Sequence, residues 1–209
     1  MVIRSLQAGR GVAALAVAVY HTYLILFQKI GVPQFSGLAQ FGYLGVPFFF
    51  VLSGFIIAIA HHRDIGRPAA LRDYAIKRFM RVYPLYWFFS IFYVGAAAIG
   101  LGDPDFSWAP VHLVEDVLLV HVTPNFASPP LKVAWTLFFE IQFYVFFALA
   151  ILSARLAWAI AAIWFAGLLF MPTTNRWLEN FFSYWNLAFL YGIAAYVLFR
   201  RLPARWWWI

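Results

Sequence analysis

Apolar residues run along this chain in blocks of about a bilayer's thickness, and short polar stretches separate the blocks. Runs long enough to span are Leu6 to Gln28, Gly42 to Ala60, Val82 to Gly100, Val133 to Ser153, Ala154 to Met171 and Phe181 to Phe199. Each is close to the ~20 residues that a ~30 Å hydrocarbon core requires, the fifth being the shortest. Val111 to Val122 is apolar but too short to cross, which predicts a re-entrant or interfacial segment inside an external loop, Leu101 to Lys132. The basic stretch "HHRDIGRPAALRDYAIKRFMR", residues 61–81, predicts a cytoplasmic loop whose second part forms an amphipathic helix along the interface. The pattern predicts an all-α, polytopic transmembrane helix bundle of about six spans, forming a single domain over residues 1–209 with no internal repeat or soluble part.

Basic residues orient the bundle. With the amino terminus inside, Arg4, Arg10, the Arg63 to Arg81 segment, Arg155, Arg200, Arg201 and Arg205 are cytoplasmic, and only Lys29, Lys132 and Arg176 are outside. Such a bias in short loops sets membrane topology and predicts a multi-pass inner-membrane protein with a cytoplasmic amino terminus. Ala16-Val17-Ala18 could pass as a signal-peptide cleavage site, but apolar character continues through Tyr20, Tyr23 and Phe27, which favours a retained first span.

Composition narrows the chemistry. Charged residues make up 11% of the chain and hydrophobic residues 65%, about half the charge of a soluble domain. The net charge of +7 is not gathered on a soluble aromatic face, so the membrane surface rather than nucleic acid is the expected partner. The chain has no cysteine, which excludes disulfides, zinc thiolate sites and cysteine acyl-enzymes.

Polar residues inside the spans are the candidate functional groups. Arg10 and His21 lie eleven residues apart, about three helical turns, so they share a face of the first span, with His21 near mid-depth. A histidine there faces a cavity, a partner or a substrate path, or else hydrogen-bonds a neighbouring helix as packing. Glu140 is the only acid inside a span and lies at comparable depth, on a stripe with Thr136 and Tyr144. A carboxylate can orient an imidazole so that its other nitrogen takes a proton from a hydroxyl. Arg78 and Arg81, three apart, suit phosphate chelation, although positive-inside topology also places arginines at such boundaries. Ser53 fits helix packing better than chemistry. His112, Glu115, Asp116 and His121 do not share one helical face; they suit an external binding surface better than a metal, so no metal site is expected. Tyr83, Tyr86 and Trp87 read as an aromatic belt, and His61 and His62 as interfacial residues at the inner end of the second span.

Four segments in order complete the picture: Arg10 with His21, "GVPFFFVLSGFIIA" from Gly45 to Ala58, "KRFMRVYPLYW" from Lys77 to Trp87, and "WTLFFEIQFYVFFAL" from Trp135 to Leu149. Together they resemble the acyltransferase 3 family of integral membrane acyltransferases, many of which O-acetylate bacterial polysaccharides. The resemblance covers roughly Ser5 to Leu149. It implies acyl-CoA, acetyl-CoA first, as cytoplasmic donor and a carbohydrate or similar hydroxyl as outer acceptor. It also implies that His21 is the essential histidine, Arg10 its motif partner, Arg78 and Arg81 the donor-phosphate pair, and Glu140 the acidic position of its segment, with Thr136 where serine is common. The family has about ten spans, so six correspond to its amino-terminal part; a fragment, a truncated product or a homo-oligomer would each account for that. The alternatives from other classes are a proton-coupled transporter or flippase relaying protons through His21 and Glu140, and an inactive truncated scaffold.

Overall fold

The computed structural model describes residues 4–30, 39–101, 106–120, 131–170 and 181–202. Among the described residues seven α-helices follow one another: α1 (Arg4–Ile30), α2 (Gly45–His61), α3 (Leu71–Ala98), α4 (Pro110–Leu118), α5 (Trp135–Leu152), α6 (Ala154–Phe170) and α7 (Trp185–Phe199), with short 3-10 turns at Phe41–Leu44, Pro68–Ala70 and Lys132–Ala134. No strand occurs among the described residues. The fold is an all-α membrane fold. By length and composition, Leu6–Phe27, Phe41–His61 and Trp135–Leu152 can cross a bilayer, while α6 and α7 are apolar but shorter. His121, Arg176 and Arg205 lie outside the described residues.

Two compact units make up the chain: residues 1–60 with 187–209, and residues 61–186. In the first, glycines set the helix spacing. A Cβ on Gly54 would lie 2.1 Å from the Phe189 carbonyl oxygen, and one on Gly192 would lie 2.0 Å from the Val51 carbonyl oxygen. α2 and α7 therefore cross backbone to backbone, as small residues permit in apolar surroundings where no hydrophobic gain drives helices together. Phe50 stacks on Phe189 at 4.6 Å beside this crossing. Gly42 and Gly45 bring the turn before α2 against α1 in the same way, with added Cβ atoms 2.1 Å from the Ala16 oxygen and 2.8 Å from the Ala13 oxygen.

In the second unit, α3 and α5 run antiparallel. The Tyr74 hydroxyl donates to the Tyr144 carbonyl at 3.1 Å, and Arg81 approaches Glu140, so moving forward along α3 runs backward along α5. The loop before α3 meets the carboxyl end of α5, where Gly66 N–H donates to the Ala150 carbonyl at 3.1 Å. Gly66 has φ 73°, a left-handed conformation that glycine adopts without steric cost. Ser153 separates α5 from α6; its backbone is extended, and its hydroxyl accepts the Leu156 N–H at 3.4 Å as a helix cap. Gln142, Trp164 and Asn186 all donate to the Phe181 carbonyl, at 2.9, 2.8 and 3.0 Å, and stitch α5, α6 and the start of α7 together.

One sequence expectation changes here. The basic stretch before Val82 is not a separate interfacial helix: α3 is continuous from Leu71, because Tyr74 and Val82 are buried and anchor its first turns along α5. The short apolar segment expected to be re-entrant or interfacial forms α4, which doubles back along α3. Its carboxyl-terminal carbonyls at Asp116, Val117 and Leu118 accept from the Tyr86 hydroxyl at 2.9 Å, the Trp87 indole at 2.9 Å and the Tyr83 hydroxyl at 2.8 Å. Tyr83, Tyr86 and Trp87 thus satisfy a helix end that would otherwise leave orphan carbonyls. Leu119 follows at φ 52°, and the Leu119 and Val120 N–H groups donate to the carbonyls of Asp116 and Glu115, the bonding of a Schellman stop without its usual glycine. α4 is also inside out: Glu115 and Asp116 are buried, while Val111, Val114, Val117 and Leu118 are exposed. That polarity suits a segment re-entering hydrocarbon, with its acids turned toward protein.

Candidate functional site

α1 carries the first pair. Arg10 and His21 are both half-buried on this one uninterrupted helix. The Tyr20 ring packs edge-on to the His21 ring at 5.5 Å and meets Tyr43 at 5.8 Å. The glycine contacts of Gly42 and Gly45 press the preceding turn onto α1 just before His21, so the imidazole sits on a buttressed stretch rather than on a free helix. Ser53 is buried on α2, beside Gly54 at the crossing with α7, the packing place expected of it.

α3 and α5 carry the second group. Arg81 Nη2 lies 3.8 Å from Glu140 Oε1, and the Tyr144 hydroxyl donates to the same carboxylate oxygen. Thr136, expected on one stripe with these two, donates instead to the Val133 carbonyl at 3.3 Å. The Arg78 guanidinium lies 5.8 Å from the Tyr74 ring centre and 5.6 Å from that of Tyr144. Its Nε and Nη1 are buried and have no hydrogen-bond partner among the described residues. Two guanidiniums and one carboxylate leave this cluster with a positive excess, and buried donors without acceptors fit an anionic group.

Arg81 lies level with Glu140, five residues into α5, and Arg78 lies level with Tyr144, near the middle of that helix. The reason is the early start of α3, which carries ten residues along α5 before Arg81 is reached. Glu140, expected to be explained by His21, has partners within its own unit in Arg81 and Tyr144. Tyr74 was not singled out by the sequence reading; its spacing of four residues before Arg78, on one helix face, was the available signal.

His61 is also more than an interfacial residue. It is buried, its Nδ1 lies 2.8 Å from Asp64 Oδ2, and its ring meets Tyr74 edge-on at 5.0 Å. This dyad closes the turn before α3. On α4, burial and the neighbouring Glu115 carboxylate push the Asp116 carboxyl up to about 7, and Asp116 Oδ1 has no hydrogen-bond partner among the described residues. His112 Nδ1 lies 2.7 Å from Ser107 Oγ. No group of three metal-binding side chains occurs among the described residues.

The comparisons agree with the motifs. The chain is 28% identical over 209 residues to a protein of Acidianus two-tailed virus named as an acetyltransferase, covering 94% of this chain and 58% of that protein. It is 32% identical over 117 residues to the exopolysaccharide production protein ExoZ of Rhizobium meliloti, covering 54% of this chain and 36% of ExoZ. It thus spans little more than half the length of the first of these relatives. No solved structure matches it. The family model for an acyltransferase domain matches residues 3–209, and the chain belongs to the acyltransferase 3 family.

Proposed function

We propose that this protein is a membrane-bound O-acyltransferase that moves an acyl group, acetyl first, from acyl-CoA on the cytoplasmic side to a hydroxyl of a carbohydrate or related acceptor on the outer side. The observation that carries the reading is Arg78, a guanidinium with buried, unpartnered donors beside the Arg81–Glu140 ion pair. Such a group inside a helical unit is costly unless an anion completes it, and a CoA phosphate is an anion of the right kind. The names of the two relatives support acetyl transfer and a polysaccharide setting.

In this reading Arg10, Arg78 and Arg81 engage the donor's phosphates. His21 accepts the proton of the acceptor hydroxyl as its oxygen attacks the thioester carbonyl; the C–S bond breaks, and the proton passes to the departing CoA thiolate. Glu140 holds Arg81 and Tyr144, and its orienting of His21 is part of the same proposal. The test is transfer of labelled acetyl from acetyl-CoA by membranes containing the protein. His21→Ala should abolish transfer and leave insertion intact, while retained transfer would remove the base role. A proton-coupled transporter would leave acetyl-CoA unconsumed by the unaltered protein, and an inactive scaffold would not bind it.

A further inference from the structure

One corner of the second unit gathers arginines from two separate stretches of sequence. The turns after α2 close through the Asp64 N–H on the His61 carbonyl at 2.9 Å and the Arg67 N–H on the Asp64 carbonyl at 3.0 Å. Gly66 fixes this loop to the break between α5 and α6: its N–H donates to the Ala150 carbonyl at 3.1 Å, and a Cβ built on it would lie 3.9 Å from the Ala154 nitrogen. Arg67 and Arg155 each follow a residue of that last approach, and Arg63 lies in the turn leading to it. All three arginines are exposed. Membrane topology asks for basic residues on one side and is met by any place in a loop. Their meeting at one corner is a property of the fold.

The surroundings select the partner. Asp64, the acid of the same turn, is held by His61 Nδ1 at 2.8 Å, so its carboxylate is already engaged and the three guanidiniums leave a positive excess suited to phosphate oxygens. Apolar side chains flank them: Ile65 is 40% exposed, Leu156 40% and Trp158 78%. Arg155 and Trp158, three apart, share a face of α6. An exposed tryptophan beside an arginine marks the depth at which lipid head groups meet hydrocarbon. A soluble nucleotide phosphate would leave those apolar groups unused, whereas a phospholipid engages both.

We infer that this corner binds an anionic phospholipid, its phosphate on Arg63, Arg67 and Arg155 and its chains beside Ile65 and Trp158. The inference stands apart from acyl transfer and needs neither His21 nor Arg78. It gives the loop before α3 a lipid that holds it against the start of α6.

The test titrates the full chain, purified in neutral detergent, with phosphatidylglycerol and reads bound lipid by native mass spectrometry. Phosphatidylglycerol should bind about tenfold or more tightly than phosphatidylcholine, and replacing Arg67 and Arg155 together by Gln should weaken it by about fivefold for each arginine removed. Arg200→Gln with Arg201→Gln takes the same charge from the first unit and should leave this binding unchanged. Arg155→Gln alone serves if the double variant does not fold. Equal losses in the two double variants would overturn the inference, since net charge rather than this corner would then hold the lipid. So would equally tight binding of phosphatidylcholine, or displacement of the lipid by acetyl-CoA, which would assign these arginines to the donor's nucleotide.

Discussion

Replacing one glycine by alanine should have opposite effects at two places in this chain. At Gly192 the added Cβ would lie 2.0 Å from the Val51 oxygen and 2.7 Å from the Phe55 nitrogen, both backbone atoms that cannot rotate away. Ordinary carbon–oxygen contacts between helices need about 3.3 Å, so α2 and α7 must part by about 1 Å. That separation loosens the Phe50–Phe189 stack and the edge-on contact of Phe55 with Tyr196 at 6.1 Å. Overpacking of this kind costs about 1–3 kcal/mol, against a helix-propensity gain of roughly 1 kcal/mol for alanine. Gly192→Ala should therefore be destabilising by as much as about 2 kcal/mol net. At Gly95, inside α3, an added Cβ meets nothing within 4 Å. There the propensity gain stands alone, and the variant should be stabilised by about 0.5–1 kcal/mol. Thermal unfolding of the solubilised protein, followed by tryptophan fluorescence, resolves the difference, since each kcal/mol moves Tm by about 2–4 °C in a chain of this size. A Gly192→Ala protein as stable as Gly95→Ala would refute the backbone-to-backbone crossing.

Other outcomes test the polar groups. Glu140→Gln removes the counter-charge of Arg81, and because that side chain is a third exposed the loss should be only about 1 kcal/mol; adding Arg81→Met should recover part of it in the same unfolding assay. Arg78→Lys keeps the charge but not the flat guanidinium between Tyr74 and Tyr144, so acetyl-CoA binding, measured at equilibrium, should weaken about tenfold; unchanged affinity would remove Arg78 from donor binding. Docking of α4 should depend on pH. The Asp116 carboxyl is raised from 3.8 to about 7, so the docked state holds its proton more tightly; the contribution is full below about 3.8 and is lost as pH rises through about 7. Hydrogen exchange over residues 110–118, corrected for its intrinsic pH dependence, should quicken between about pH 4 and 7 and level off above that, and Asp116→Asn should flatten the change.

Much of the candidate site was legible because its parts are local. Arg10 and His21 belong to one helix, and Arg78 and Arg81 to one turn, so spacing alone put each pair on one face. The pairing of Glu140 with Arg81 was not legible, since it depends on how far α3 slides along α5, and that register is set by Tyr74 reaching a carbonyl 70 residues away. The three aromatics at the start of the third apolar run carried a belt-like pattern, and nothing nearby in sequence announced the helix end they satisfy.

Hydrophobic run length and the low share of charged residues settled, without coordinates, that the chain is a helical membrane protein, because both reflect transfer of single residues between water and hydrocarbon. Where the helices end was also close to readable: Ser153 and Gly100 interrupt the apolar pattern where the backbone breaks. Tertiary structure alone decided that glycines 54 and 192 bring two backbones together, that α4 turns its acids inward, and that the arginine pair lies beside the Glu140 to Tyr144 turn of α5. Those are properties of pairs of residues far apart in the chain, whose energies depend on mutual distance and direction, and no residue carries that information by itself.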